Sequence, residues 1–333
     1  MNQNGQKKVS APGPFAAAVY NLIVVLLSPL LVVGYVLYII KFLQAGSASG
    51  GTAQAPLLGR WTQHNLGSRP DEPSRQLMEV LPGVSHLAMQ LVFVPMLLAH
   101  RASGYLPKSF RYPFEGEVSM QDEGFARQTF FDTVVDRYAH DLGQFVILGA
   151  GLDTRALRLP PDARVRSFEV DIPKTQAVKR EALKQAGIDA AGVTFVAADF
   201  EKDDWLARLV EAGFDPAKPA LFVWEGVTMY LDRAAVEATL RKIASTAKGT
   251  VIAFDYYTTE VLESQALMMR YARMGTKAAG EPLKFGVDST PPSRERLAEF
   301  LQACGLSLAE QRTLGKETEG KRAWGGFATA IVK

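Results

Sequence analysis

The chain has 333 residues, room for one large domain or two smaller ones. With 37 Lys and Arg against 35 Asp and Glu the net charge is +2, which argues against a dedicated nucleic-acid binder with its basic excess on one face. At 47% hydrophobic and 22% charged, bulk disorder is excluded, and a single cysteine, Cys304, excludes an intrachain disulfide and a Cys-based zinc cluster.

Residues 16–40 form a run of 25 without a charge, rich in Val, Leu and Ile. As a helix the run is about 37 Å long, enough to cross a hydrocarbon core of about 30 Å with tilt. Pro29 and Gly34 are tolerated in such a helix, Tyr20, Tyr35 and Tyr38 suit its interfaces, and Lys7, Lys8 and Lys41 flank it. A signal peptide or a core helix would read similarly. The run is longer than the roughly 7–15 residues of a signal h-region, and no small-x-small site follows directly. The expectation is an N-terminal transmembrane helix within residues 1–45. GSASGGTAQA, residues 46–55, reads as a flexible linker. Residues 81–99 are a second uncharged stretch, of 19, interrupted by Pro82, Gly83 and Pro95. They could cross, lie in the interface or pack as a core helix. Residues 46–119 are therefore read as linker and membrane-associated helices. The order of crossing is left open between one span and two.

The texture changes at residue 120. Apolar runs at 145–148, 165–170, 193–197, 221–224 and 251–254 alternate with helical patterns at 174–186, 203–212 and 233–247. Strands alternating with helices predict parallel βαβ units in a doubly wound α/β sheet, and near-continuous apolar strands suit a sheet covered on both faces. These strands end in Gly149-Ala150-Gly151, Asp171, Asp199, Glu225 and Asp255. Open α/β sheets bind ligands at that edge. Further on, Ser293 reads as an N-cap, Leu297, Phe300, Leu301 and Cys304 follow at helical spacing, and Gly305 ends the helix. Residues 306–313 and 327–332 then read as two closing strands.

Gly149 and Gly151 follow a strand and let backbone approach a ligand. The third glycine of a dinucleotide fingerprint is replaced by Thr154, which favours a ligand with a ribose or carboxylate over a pyrophosphate. Asp171 lies 22 positions after Gly149, where an acid accepts ribose hydroxyls; its alternative is a helix cap ahead of Pro173. Glu169 points to the same face. Asp199 and Phe200 suit an adenine amine and ring, or an ordinary turn. Arg127 projects from the apolar face of Phe130, Phe131, Val134, Val135 and Tyr138, and a guanidinium held there needs an anion. A ligand carboxylate would serve, as would a protein acid such as Asp153. His64, His86, His100 and His140 show no metal-binding spacing, so no metal is expected.

Taken together, FVILGAGLDTRALRL, FEVDIPKTQAVKREAL, ADF and WEGVTMYL, with ARQTFFD before them and GEPLKFGVD at 280–288, resemble the leucine carboxyl methyltransferase family of S-adenosylmethionine-dependent O-methyltransferases. The resemblance covers residues 124–333. It implies a class I methyltransferase (Rossmann-like) fold, a seven-stranded mostly parallel sheet with its last pair antiparallel. It implies roles for residues too. Arg127 would hold the cofactor's carboxylate, Gly149 and Gly151 would let the protein backbone approach it, and Asp171 would take the ribose. Asp199 and Phe200 would face the adenine. Glu225 matches the acid near the amine and methyl, and Tyr230 the tyrosine beside the reacting centre. The family's leading helix also carries a basic residue that assists the carboxylate; Arg101 and Lys108 are the candidates.

A carboxylate acceptor needs no general base, whereas a phenol could lose its proton to Glu225 or Tyr230. Residues 257–277 read as a helical lid or as a plain packed helix. The apolar N-terminal third points to a lipophilic acceptor and to a membrane partner, with the catalytic domain facing the cytoplasm. No nucleic-acid partner is expected. A membrane-anchored NAD(P)-dependent oxidoreductase would share Gly149, Gly151 and Asp171, but no Tyr-x-x-x-Lys accompanies them. A non-catalytic membrane adaptor would not need Arg127.

Overall fold

The apolar run near the start of the chain does not fold as one helix. In the computed structural model, which describes residues 13–45, 51–159, 164–278, 280–318 and 322–333, it is divided into α1 (Pro14–Leu26) and α2 (Ser28–Ala45), with a bend of 62°. Pro29 explains the break: it has no N–H to donate and disfavours helical backbone at the residue before it. Leu27 closes α1 by donating to the Ile23 carbonyl at 3.0 Å, and the Ser28 hydroxyl donates to the Val25 carbonyl at 2.8 Å. Among the described residues no single helix is long and apolar enough to cross a membrane. The expected single span over 16–40 is thus corrected to a bent pair, which has the required length and composition only jointly. Lys7 and Lys8 lie outside the described residues.

The expected linker is corrected as well. Residues 46–50 lie outside the described residues, and Gly51–Ala53 form a 3-10 turn that runs straight into α3 (Gln54–Asn65). Then come α4 (Glu72–Val80), capped by the Asp71 carboxylate, and α5 (His86–Ser103). The second apolar stretch starts its helix five residues late because Pro82 and Gly83 occupy a turn and Ser85 is the N-cap, its hydroxyl accepting from the Ala88 amide. α5 lies across α1 and α2. Tyr20 meets Tyr105 at 5.4 Å between ring centres, and Phe93 meets Trp61 of α3 edge-on at 4.9 Å.

The rest is one sheet with helices on both faces. α6 (Glu123–Leu142) precedes β1 (Gln144–Leu148). Then follow β2 (Arg166–Asp171), α7 (Pro173–Gln185), β3 (Val193–Ala197), α8 (Trp205–Glu211), β4 (Leu221–Trp224), α9 (Arg233–Ala244) and β5 (Val251–Tyr257). After α10 (Thr259–Glu263), α11 (Leu267–Ala278) and α12 (Ser293–Ala303) the chain closes with β6 (Ser307–Leu314) and β7 (Gly325–Ile331). The strand order is β3-β2-β1-β4-β5-β7-β6; β7 is antiparallel to both its neighbours and the others run parallel. This is the class I methyltransferase sheet. The chain reverses its direction of build between β1 and β4, the switch point where such sheets bind ligands.

Strand alternation sorts the core onto two faces. Val146 and Leu148 join Phe222, Trp224 and Trp205 on one side, under α8, α9 and α12. Phe145 and Ile147 join Val223, Phe327 and the α6 face of Phe130, Phe131 and Val134 on the other. Two expected details differ. β5 runs on through Asp255 to Tyr257, because β7 pairs with it that far, Tyr257 opposite Gly325. Ser293 begins α12 and is not its cap; its hydroxyl donates to Glu317, and Pro292 holds the cap position.

Candidate functional site

The turn after β1 is built on backbone that only glycine adopts easily. Gly149 has φ +65° and Gly151 φ +47°. A Cβ on Gly149 would lie 2.4 Å from the Val227 side chain, and one on Gly151 would lie 2.9 Å from the Cβ of Ala53. The turn is tied to β2 by Asp171, whose carboxylate accepts from the Gly151 amide at 2.5 Å and the Ile172 amide at 2.7 Å. Asp171 is therefore the last strand residue and does not cap α7, whose N-cap is Ile172. Burial pushes its carboxyl up to about 6, although the Gly151 and Ile172 amides pull it down. A carboxylate has about four acceptor positions, so two remain for other donors. Glu169 behind it pairs with Lys179 at 2.5 Å, and burial lifts its carboxyl to about 7.

Arg127 does point from the α6 face into the sheet edge, and its partners are protein acids. They are Glu123 at 3.1 Å, Asp255 at 3.3 Å and Glu225 at 3.3 Å, and Asp153 is not among them. Burial pulls the guanidinium down, but these acids push it well above its ordinary value. The contact with Glu225 is close yet poorly aligned: Arg127 Nε and Glu225 Oε1 are both buried and neither makes a hydrogen bond. The other oxygen, Glu225 Oε2, accepts from Arg155 and, at 3.3 Å, from Arg60. Asp255 accepts from the Gly226 amide at 2.7 Å, and burial raises it to about 7 against the pull of Arg127.

Tyr230 lies in the short turn Thr228–Tyr230 after β4, where burial raises its phenol to about 12. It is hydrogen-bonded to Thr52, whose hydroxyl also donates to Glu281. Next to it is a cavity of about 180 Å³ walled by Glu123, Tyr230, Tyr257, Met269, Leu283 and Trp324. A wider cleft of about 760 Å³ around Glu117, Arg294 and Arg312 holds none of the expected site residues. Asp199 stands apart from this group. Its carboxylate accepts from the Glu201 amide at 3.0 Å and Lys202 at 2.7 Å, which is the ordinary turn reading. Phe200 leans on Trp205 and Trp224. Among the described residues no group of three or more His, Cys, Asp or Glu is arranged to hold a metal.

Arg101 is exposed at the end of α5 and Lys108 donates to the Glu117 carbonyl, so neither reaches this group of side chains. Arg60 of α3 does, 2% exposed, 3.0 Å from Asp153 and 3.3 Å from Glu225. Sequence reading missed it because residues 46–55 pass for a linker. The available signal was Leu57, Arg60 and Trp61 at helical spacing. Arg60 belongs to a wider buried set: Asp132 binds Arg69 at 2.6 Å and Arg155 at 2.7 Å, and Asp71 binds Arg69 at 2.6 Å and Thr154 at 2.8 Å. The threonine in the third-glycine position is thus a hydrogen-bonded core residue.

Comparison with known proteins agrees with the motifs. The model of the leucine carboxyl methyltransferase family matches residues 106–244. A protein of Mycobacterium sp. strain KMS, provisionally named an S-adenosyl-L-methionine-dependent methyltransferase, is 39% identical over 170 residues, 50% of this chain and 54% of that protein. A relative of the same provisional name from Mycobacterium marinum is 36% identical over 152 residues, 45% of this chain and 48% of its own length. The chain thus matches about half the length of these curated relatives. Among solved structures, the magnesium protoporphyrin IX methyltransferase of Synechocystis PCC 6803 with bound SAH has a TM-score of 0.41 at 13% identity, covering 66% of this chain and 90% of that one.

Proposed function

We propose that this chain, which carries the leucine carboxyl methyltransferase pattern over residues 106–244, is an S-adenosylmethionine-dependent O-methyltransferase acting on a lipophilic small molecule. The observation that carries the reading is the buried, unaligned pair Arg127 Nε and Glu225 Oε1 at the switch point. An orphaned donor and an orphaned acceptor side by side fit the carboxylate and the ammonium of one amino acid. Asp171 would use its two remaining acceptor positions on ribose hydroxyls, and Gly149 and Gly151 would leave the backbone uncovered beside them. Arg60 supports the carboxylate end. When bound, S-adenosylmethionine supplies a sulfonium methyl already activated for displacement. The protein's own work is then to position the acceptor beside Tyr230 and Glu225 and to exclude water. Calorimetry is expected to detect S-adenosylmethionine binding and no NADH binding. Asp171→Ala should weaken the former about 10–100-fold, the weight of one or two hydrogen bonds to a charged group. NADH binding without affinity for S-adenosylmethionine would overturn the reading in favour of an oxidoreductase.

The proposal extends to a lipid surface as partner, with the catalytic domain on the cytoplasmic side. Leu22, Val25, Leu26, Val32, Val33 and Val36 are all exposed on α1 and α2. Residues 13–45 and 81–111 contain no acid; their charges are Lys41, Arg101, Lys108 and Arg111, which suit anionic headgroups. α1 has 13 residues, about 20 Å of helix, well short of a core of about 30 Å. The bent pair therefore suits a seat within one leaflet. Flotation with phosphatidylserine-containing vesicles tests it. The whole chain should float, and Val25→Asp with Val32→Asp should abolish flotation while cofactor affinity is kept. Flotation that survives both substitutions would sink the idea.

A further inference from the structure

The cavity beside Tyr230 says more about the acceptor than its position does. Among the described residues of its wall, Glu123 is the one carboxyl side chain; the rest are apolar, aromatic or hydroxyl groups. Three further acids stand near. Glu225 and Asp255 share Arg127 with Glu123, and Glu281 reaches the Thr52 hydroxyl that also bonds Tyr230. The charge of Arg127 is thus divided among three carboxylates before any acceptor arrives. Arg60 and Arg155 hold the other oxygen of Glu225 and do not line the cavity, so a second anion there would meet the Glu123 carboxyl and, among the described residues of the wall, no cation. Volume narrows the choice further. A dry cavity of about 150 Å³ holds one benzene ring. The 180 Å³ found here is room for one ring with a small substituent. Trp324 and Tyr257, themselves 6.0 Å apart between ring centres, offer aromatic surface to that ring.

We infer that the acceptor group is a neutral phenol-type hydroxyl on a single aromatic ring, and that the Glu123 carboxylate receives its proton. The inference rests on the methyltransferase reading and separates the two acceptors that reading allows, choosing the phenol over the carboxylate. The phenol oxygen forms a bond to the methyl carbon while the sulfur–carbon bond of the donor breaks and its electron pair stays on sulfur. The O–H proton passes to Glu123. The products are an aryl methyl ether, a neutral thioether and a protonated Glu123, which returns its proton to water through its partly exposed side. Tyr230 and Tyr257 are poor rivals for that proton, being neutral hydroxyls, and they are left to orient the ring.

The test uses the whole chain loaded with S-adenosylhomocysteine and two matched probes, 4-methylphenol and 4-methylbenzoate. Binding is read by calorimetry. The phenol is expected to bind at least about tenfold tighter than the benzoate, since burying a charge beside like charge is disfavoured. Glu123→Gln should bring the benzoate to within about threefold of the phenol by removing the like charge. Equal or tighter binding of the benzoate, no binding of the phenol, or an unchanged ratio in Glu123→Gln overturns the inference. Should that variant fail to fold, Met269→Trp decides. Filling the cavity should abolish phenol binding and leave S-adenosylhomocysteine binding intact, and phenol binding that persists removes the cavity from consideration. Absence of S-adenosylhomocysteine binding in the wild-type chain marks failure of the methyltransferase reading itself. Binding of it with the benzoate preferred marks failure of the phenol alone.

Discussion

Asp132 shows how much of this site is held by single side chains. It faces inward from α6 and accepts from Arg69, Arg155 and, at 3.0 Å, the Tyr112 hydroxyl. Burial alone would raise its carboxyl, but Arg155 and Arg69 hold it far below the usual carboxylate range. Its contribution to stability is thus present above the ordinary aspartate value and is lost as pH falls towards the depressed one. Asp132→Ala leaves N–H groups of two buried guanidiniums without an acceptor, although Arg69 keeps Asp71 and Arg155 keeps Asp153 and Glu225, and should cost about 1–3 kcal/mol in urea unfolding near neutral pH. Asp171 has the opposite sign. Its folded value, about 6, lies above that of an ordinary aspartate, so the associated stability is lost as pH rises through about 6. The ionised form is the one that accepts from ribose hydroxyls. Affinity for S-adenosylmethionine should therefore rise between about pH 5 and pH 7, and Asp171→Asn should flatten that rise. A wild-type affinity that is constant over this range would separate Asp171 from the ligand.

Elements were legible in proportion to how local their causes are. β3 and β4 match the residues read from sequence, because a strand buried on both faces is a short apolar run with polar ends. α9 stops three residues earlier than expected, since Ala247 turns away to donate to the Pro216 carbonyl. The N-terminal helices were misread for a different reason. Hydropathy summed over residues 16–40 does not register one proline, whereas backbone geometry does. Gly34 was read as merely tolerated, yet a Cβ there would lie 2.7 Å from the Leu91 Cβ and 2.9 Å from the Ala88 carbonyl. It is the point at which α2 and α5 come closest to touching through their backbones. Gly34→Val should force the two helices apart and cost about 1–3 kcal/mol, visible as a lower Tm and faster proteolysis in α5. An unchanged Tm would mean the two helices are not packed as described.

At the scale of the molecule, motif and fold agree from residue 106 to residue 244, and the βαβ alternation was readable because short apolar runs and helical patterns follow one another there. What sequence could not show is the pairing of distant charges. Arg60 meets Glu225 across 165 positions and Arg127 meets Asp255 across 128, and no local pattern encodes either meeting. The same limit hid the covering of the glycine turn, where Ala53 presses on Gly151 and Thr52 reaches Tyr230. One residue further on, Gln54 accepts a hydrogen bond at 2.8 Å from the Tyr38 hydroxyl, which belongs to α2. The apolar helices and the glycine turn are thereby joined through a strap two residues long. A change in the tilt of α2 therefore has a covalent and hydrogen-bonded route to the bend after β1, which ties the greasy end of the protein to the sheet edge.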